Sequence, residues 1–99
     1  MSLLWLSGSE EKMFVILVYD VKQERVAKVL KTARKYLTWV QNSVLEGEIS
    51  DANLKKLKKE LSRVMNLEED SAIICQLRTT RYSSREIIGI EKGGTEIII

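Results

Sequence analysis

Residues Met13 to Asp20 read MFVILVYD, a run of seven apolar or aromatic residues that ends at a carboxylate. A run this short, continuous and rich in β-branched residues is typical of a strand buried on both faces at the centre of a sheet. Asp20 then lies where the strand leaves the core. The pattern predicts that the central strand holds one negative charge rigidly near the surface.

The residue types that are missing exclude several kinds of site. The 99 residues include no histidine and a single cysteine, Cys75. Imidazole catalysis, histidine-containing zinc sites and an intrachain disulfide are therefore excluded, and Cys75, inside an apolar strand, is predicted to be a packed structural thiol. Any metal must be bound by oxygen ligands, which favours Mg²⁺, Mn²⁺ or Ca²⁺. The unpaired thiol and the lack of a convincing signal sequence favour a cytoplasmic location, and no membrane partner is predicted.

Two amphipathic helices are predicted on either side of a β-rich segment. Apolar residues recur at intervals of three and four after Asp20 and again after Ser50, which is a suitable N-cap for the second helix. The segment from Leu37 to Ile49 between them is either one bent strand with a bulge or two short strands joined tightly. The predicted buried stripes are Val26, Val29, Leu30, Ala33 and Leu37 in the first helix and Leu54, Leu57, Leu61 and Val64 in the second.

The rest of the chain adds a strand from Asp70 to Leu77, a basic connection from Arg78 to Arg85, and two short strands at residues 87–90 and 97–99. The order β-α-β-(β)-α-β predicts an α+β, ferredoxin-like βαββαβ sandwich, in which an antiparallel sheet carries two helices on one face and a C-terminal β-hairpin tail. We expect residues 1–12 to be a disordered appendage or tag, residues 13–90 the ferredoxin-like domain, and residues 91–99 a strand that docks on a dimer mate or another partner. The second sheet face would be uncovered, which predicts a homodimer.

Asp20 is the leading candidate for chemistry. One aspartate per chain makes a poor metal site, because a hard ion prefers several oxygen ligands. A two-fold dimer that brings two copies of Asp20 together would supply two carboxylates to one ion, as metal-dependent phosphodiester cleavage requires. The alternative is that Asp20 caps or begins the following helix by accepting hydrogen bonds from its backbone N–H groups.

Basic residues are spread along the chain, although the net charge is only +2. Binding to a DNA or RNA backbone needs only such cations, and a dimer would double their number. The alternative is that the lysines form an ordinary solvated helix face. The residues predicted to bind nucleic acid are Lys22, Arg25, Lys55, Lys56, Lys58, Lys59, Arg78 and Arg81.

Four features together resemble a known family. They are the apolar strand that ends Tyr19-Asp20-Val21, the basic helix after it, the segment VQNSVLEG at residues 40–47, and a strand that opens Asp70-Ser71. With these features the chain resembles the CRISPR-associated Cas-two family. Two positions depart from that family's usual pattern, because Leu45 stands where phenylalanine is usual and Trp39 where arginine is usual.

The resemblance implies a ferredoxin-fold homodimer that acts in CRISPR adaptation, a branch of antiviral defence. Such a dimer binds nucleic acid and bridges the Cas-one integrase while a new spacer is acquired. The resemblance also implies endonuclease activity on single-stranded RNA or duplex DNA that depends on Mg²⁺ or Mn²⁺, with Asp20 as the catalytic residue and metal ligand. Two alternatives stay open: a ribonuclease toxin of the virulence-associated D type, and a DNA-binding scaffold without catalysis.

Overall fold

The computed structural model of the chain describes residues 12–78 and 81–90, except for the side chains of residue 78 and residues 81–84. The predicted strand at residues 97–99 and the predicted N-terminal appendage, apart from Lys12, lie outside the described residues. The elements in chain order are β1 (Lys12–Asp20), α1 (Gln23–Ala33), β2 (Thr38–Gln41), β3 (Val44–Ser50), α2 (Asp51–Val64), β4 (Ser71–Arg78) and β5 (Arg81–Gly89).

The strands form one antiparallel sheet in the order β2-β3-β1-β4-β5. β1 lies at its centre, between β3 and β4, as its apolar sequence predicts. Without β5, this is the strand order of a ferredoxin-like fold. The predicted fold class is therefore confirmed, and β5 is an additional edge strand beside β4.

The C-terminal part of the sheet differs from the prediction. The predicted polar connection from Arg78 to Arg85 is wrong, because β4 continues to Arg78 and β5 already begins at Arg81. β5 pairs with β4 from Arg81 to Gly89, with one register shift near Leu77. Backbone pairing satisfies N–H and C=O groups whatever the side chains, so a polar sequence is no obstacle at a sheet edge.

The β-rich segment before α2 contains both features that the sequence left as alternatives. Two strands, β2 and β3, are joined by a tight turn at Asn42 and Ser43, and Asn42 has a φ of 44°. Asparagine tolerates this left-handed conformation better than most residues. A register shift between Trp39 and Gln41 adds a β-bulge.

The core lies between the helices and one face of the sheet. Alternate residues of β1, namely Val15, Leu17 and Tyr19, are buried there together with residues of both helices. The other β1 residues are only partly covered, and Phe14 is 36% exposed. The central position of β1 is thus confirmed, but within a single chain only one of its two faces is fully buried.

The helices follow the predicted cap and stripes except at Val26 and at Leu37, which is buried as predicted but lies after the end of α1. The Oγ of Ser50 accepts a hydrogen bond from the backbone N–H of Asn53 at 3.2 Å, which confirms the predicted N-cap of α2. Val26, in the first turn of α1, was expected in the buried stripe but is 36% exposed, since the orientation of α1 against the sheet leaves its first turn uncovered. Neither α1 nor α2, the helices of the described residues, has the length and apolar character to cross a membrane.

Candidate metal and nucleic-acid site at the end of the central strand

Asp20 is the last residue of β1 and is exposed. Its register partner on β4 is Ser71, and strand alternation places Asp20 on the sheet face opposite the helices. The N-cap of α1 is Lys22, so the alternative in which Asp20 caps that helix is wrong: Asp20 lies two residues before the cap position.

The turn between β2 and β3 lies beside the end of β1. The backbone N–H of Tyr19 donates to the carbonyl of Ser43 at 3.1 Å. Tyr19 is buried, and this burial raises the pKa of its hydroxyl, although a hydrogen bond with the Ser43 side chain opposes the shift. Asp20 therefore follows a residue that is held by both its backbone and its side chain.

A metal at Asp20 would need ligands from beyond one chain. A carboxylate is the hard oxygen donor that Mg²⁺ and Mn²⁺ prefer, so Asp20 fits such an ion chemically. Within residues 12–78 and 81–90, however, no group of three or more His, Cys, Asp or Glu side chains could hold a metal. The remaining ligands would have to come from a second copy, water or a bound phosphate.

The sheet face that carries Asp20 is mostly apolar along β1 and β4 and carries charged residues on β3 and β5. Residues in register on neighbouring antiparallel strands share a face, and most residues on this face are partly covered or exposed, whereas Ser71 and Cys75 are buried. Cys75 is 2% exposed, as predicted for a packed thiol, and burial raises its pKa while Arg85 opposes the shift. The apolar residues of this open face, other than Cys75, are Phe14, Ile16, Val18, Val44, Ile73, Leu77 and Ile87. In addition to Asp20, its charged residues include Glu46, Glu48 and Arg85.

Asp70 is the centre of a buried polar cluster next to this site. Its side chain has no solvent exposure and accepts hydrogen bonds from three residues. Arg25 donates to it twice, from Nε to Oδ2 at 2.6 Å and from Nη2 to Oδ1 at 3.0 Å. The backbone N–H groups of Lys22 and Asn66 donate at 3.0 and 2.9 Å. This Asp70 cluster, formed by Lys22, Arg25, Asn66 and Asp70, joins the start of α1 to the loop before β4.

The cluster also determines the charge states of its members. The guanidinium of Arg25, helped by the two backbone N–H groups, holds the pKa of Asp70 well below its usual range against the opposing effect of burial. Hydrogen bonding to Asp70, and secondarily to Glu69, raises the pKa of Arg25 above its ordinary value. Both groups are therefore charged at neutral pH.

The end of β5 packs against the same cluster. The backbone N–H of Ile90 donates to the carbonyl of Asp70 at 3.0 Å. Gly89 precedes it with a φ of 94°, and a Cβ at this position would lie 2.1 Å from that carbonyl oxygen. Only glycine fits so close an approach in this conformation.

The predicted nucleic-acid residues divide into three groups. Arg25 is engaged with Asp70, and its Nη2 also donates to Glu69 at 2.9 Å, so the structure places it in an internal ion pair. The α2 lysines lie on the helix side away from its buried leucines: Lys55 is 3.7 Å from Asp51, Lys58 is 2.7 Å from Glu86, and Lys56 and Lys59 are exposed. Lys22 is exposed, and the side chains of Arg78 and Arg81 lie outside those described.

Sequence reasoning missed the role of Asp70, which it treated only as the start of a strand. Arg25 was expected to face nucleic acid. The pair is separated by 45 positions, so no local spacing connects them. The one local signal is an acidic residue directly before a buried strand, where an unpaired charge would be costly.

A family model described as CRISPR associated protein Cas2 matches residues 13–85. The chain belongs to the Cas2 family. The CRISPR-associated endoribonuclease Cas2 of Dictyoglomus turgidum is 59% identical over 88% of this chain and 100% of its own length. The protein of the same name from Thermotoga maritima is 53% identical over 82% of this chain and 93% of its own.

Two solved structures are similar in fold to this chain. A crystal structure of a Cas2 protein has 42% identity and a TM-score of 0.67, and the match covers 90% of this chain and 100% of that one. A hypothetical protein from Thermus thermophilus shares the fold, with a TM-score of 0.59 at 21% identity. At Trp39, where the resemblance led us to expect an arginine, the side chain is 46% exposed and its Nε1 donates to the carbonyl of Asn42 at 2.9 Å. Trp39 thus stabilises the β2–β3 turn through this hydrogen bond, and it supplies no positive charge at this position.

Proposed function

We propose that this Cas2-family chain acts as a homodimer that binds nucleic acid and hydrolyses its phosphodiester bonds with a divalent metal, Mg²⁺ or Mn²⁺. The observation that supports this most strongly is the position of Asp20 at the edge of a sheet face that no helix covers and that carries partly covered apolar residues of β1 and β4. A second copy seated on that face would bury its half-covered side chains. If the two-fold axis passes near the end of β1, the same contact brings two Asp20 carboxylates together.

In this proposal each residue type has one task. The two Asp20 carboxylates would hold the metal, which would supply Lewis-acid polarisation of the phosphoryl group and activation of a water nucleophile. β1 and its neighbours β3 and β4 hold each carboxylate in place. The exposed lysines Lys22, Lys56 and Lys59 neutralise phosphates of the substrate backbone, which requires no base recognition.

Single-stranded RNA is the substrate we propose first, because the curated relatives from Dictyoglomus turgidum and Thermotoga maritima are both named endoribonucleases. Duplex DNA is the second. Family membership also supports a cytoplasmic role in CRISPR adaptation, in which the dimer bridges the Cas-one integrase and residues 91–99 dock on the mate or the integrase. Nothing among the described residues favours a free-standing ribonuclease toxin over this role.

The proposal is tested by comparing wild type with Asp20→Asn on single-stranded RNA and on duplex DNA, with Mg²⁺ and with a chelator. We expect metal-dependent cleavage by wild type and a loss of at least a hundredfold in Asp20→Asn, because an amide is a weak ligand for a hard ion. Sedimentation at micromolar concentration checks that both proteins are dimers. Undiminished cleavage by Asp20→Asn, or a monomeric wild type, would contradict the proposal.

A second candidate function is a DNA-binding scaffold that does no chemistry. It is favoured by the exposed lysines on α2, which can bind phosphates whether or not Asp20 holds a metal. This candidate predicts that wild type binds duplex DNA but leaves it and RNA intact at every Mg²⁺ and Mn²⁺ concentration. The same cleavage assay therefore separates the two functions.

A further inference from the structure

We infer that Arg25 and Asp70 are positioning residues for the metal ligand Asp20. The inference rests on the proposed function, because it concerns how the metal site is held. It gives Arg25 a task different from the phosphate contact that the sequence predicts.

The Asp70 cluster holds the segment that follows Asp20 and the end of the neighbouring strand β4. Lys22, two residues after Asp20, donates its backbone N–H to Oδ1 of Asp70 at 3.0 Å. Ser71, the residue after Asp70, is the register partner of Asp20 on β4. One buried carboxylate thus locates both the loop that leaves Asp20 and the strand end that lies beside it.

The cluster is rigid because its hydrogen-bonding capacity is used. Two N–H groups of Arg25 and two backbone N–H groups converge on the two oxygens of Asp70. A bidentate contact between guanidinium and carboxylate fixes the relative orientation of the two groups as well as their distance. The Asp70 carbonyl is held as well, because it accepts from the N–H of Ile90.

Metal sites are sensitive to small displacements of their ligands. Ligand distances in working sites vary by only about 0.2 Å, and losing a residue that hydrogen-bonds a metal ligand directly typically costs 10- to 100-fold in metal affinity or activity. Arg25 and Asp70 act one step further out, through Lys22 and Ser71, so the lower end of that range applies. Asp20 has a particular need for such support, since the described residues include no group of three or more side chains that could hold a metal.

Two variants test the inference. Arg25→Lys keeps the positive charge but removes the bidentate contact. Asp70→Asn keeps the shape and one acceptor oxygen but removes the charge. The matched control is Glu60→Gln, which weakens a polar contact between α2 and the segment that follows α1. Glu60 accepts from Lys35 and from the Tyr36 hydroxyl, each at 2.7 Å, just beyond the end of α1 opposite the Asp70 cluster.

The measurement is Mn²⁺ binding to each folded protein, followed by electron paramagnetic resonance, with Asp20→Asn defining the share of binding that belongs to the site. We expect the dissociation constant for Mn²⁺ to rise about tenfold or more in Arg25→Lys and Asp70→Asn, and to stay unchanged in Glu60→Gln. The Mg²⁺ concentration for half-maximal cleavage should rise in parallel, while affinity for single-stranded RNA in the presence of a chelator stays the same. If Asp70→Asn does not fold, Arg25→Lys decides alone.

The outcomes separate this inference from the proposed function. Wild-type Mn²⁺ affinity in Arg25→Lys overturns the inference and leaves the proposed function standing. Tighter RNA binding by Asp70→Asn with unchanged Mn²⁺ affinity also overturns it, since that result means a freed Arg25 contacts phosphate. If wild type shows neither Mn²⁺ binding that depends on Asp20 nor cleavage, the proposed function fails and the inference fails with it.

Discussion

Replacing Gly89 by alanine should strongly destabilise the fold, although the change adds only one methyl group. The new Cβ would lie 2.1 Å from the carbonyl oxygen of Asp70 and 3.0 Å from its carbonyl carbon, and both are backbone atoms of a buried residue. To reach ordinary contact the two segments must separate by about 1 Å. That separation would break the hydrogen bond from Ile90 to Asp70 and disturb the Asp70 cluster.

The cost can be estimated from three contributions. Holding a residue with a Cβ in a left-handed conformation costs about 1–2 kcal/mol, a forced separation in a packed region about 1–3 kcal/mol, and the broken backbone hydrogen bond about 1 kcal/mol. Together they reduce the free energy of unfolding by about 4 kcal/mol. That is a large part of the stability of an ordinary domain.

Gly47→Ala is the matched control. Gly47 also has a positive φ, 154°, but a Cβ there would come no closer than 3.6 Å, to a side-chain carbon of Leu37. Only the conformational cost applies, about 1 kcal/mol. The difference of about 3 kcal/mol between the two variants corresponds to a melting temperature about 15 °C lower for Gly89→Ala.

The assay is urea unfolding followed by circular dichroism, with all proteins at the same concentration because the stability of a dimer depends on concentration. Complete unfolding of Gly89→Ala in buffer would agree with the estimate. If the two glycine variants lie within about 1 kcal/mol of each other, a fraction of the expected gap, the close packing of β5 against Asp70 does not contribute as argued.

Two further predictions concern charge. Replacing both Lys56 and Lys59 by glutamate should weaken RNA binding and flatten the dependence of log K on log salt by about one unit for each phosphate that is no longer neutralised. The control is the same charge reversal at Lys28 and Lys31, which are exposed lysines of α1. An equal weakening in both pairs would mean that binding is not localised on α2. Stability should also depend on pH through Asp70, whose pKa is lowered in the folded state. The unfolded chain binds that proton more tightly, so the stabilising contribution is present above about pH 4, the ordinary value of an aspartate, and is lost as the pH falls below it. Urea titrations between pH 7 and pH 2 should show a steeper acid loss for wild type than for Asp70→Asn, and parallel curves would contradict this assignment.

Much of the fold can be predicted from local patterns in the sequence. The apolar run of β1, the stripes of two helices and the N-cap at Ser50 each depend on residues within a few positions of one another. Such periodicities determine element type and burial directly, which is why the order of elements and the ferredoxin-like fold follow from them. The position of Asp20 at the end of the central strand follows for the same reason.

Other features depend on contacts between distant segments. β5 is a strand because β4 offers it a backbone to pair with, and its polar sequence alone favours a connection. Val26 has the right spacing for the buried stripe, but the orientation of α1 against the sheet leaves it exposed.

The candidate site divides in the same way. The sequence determines that an aspartate ends the central strand, because that depends only on which residues follow an apolar run. Tertiary structure alone decides that Arg25 turns inward to Asp70, across 45 positions, since a buried carboxylate needs a partner and folding brings this one within reach. It also decides that apolar residues on the face bearing Asp20 are left partly covered, because both helices pack on the other side.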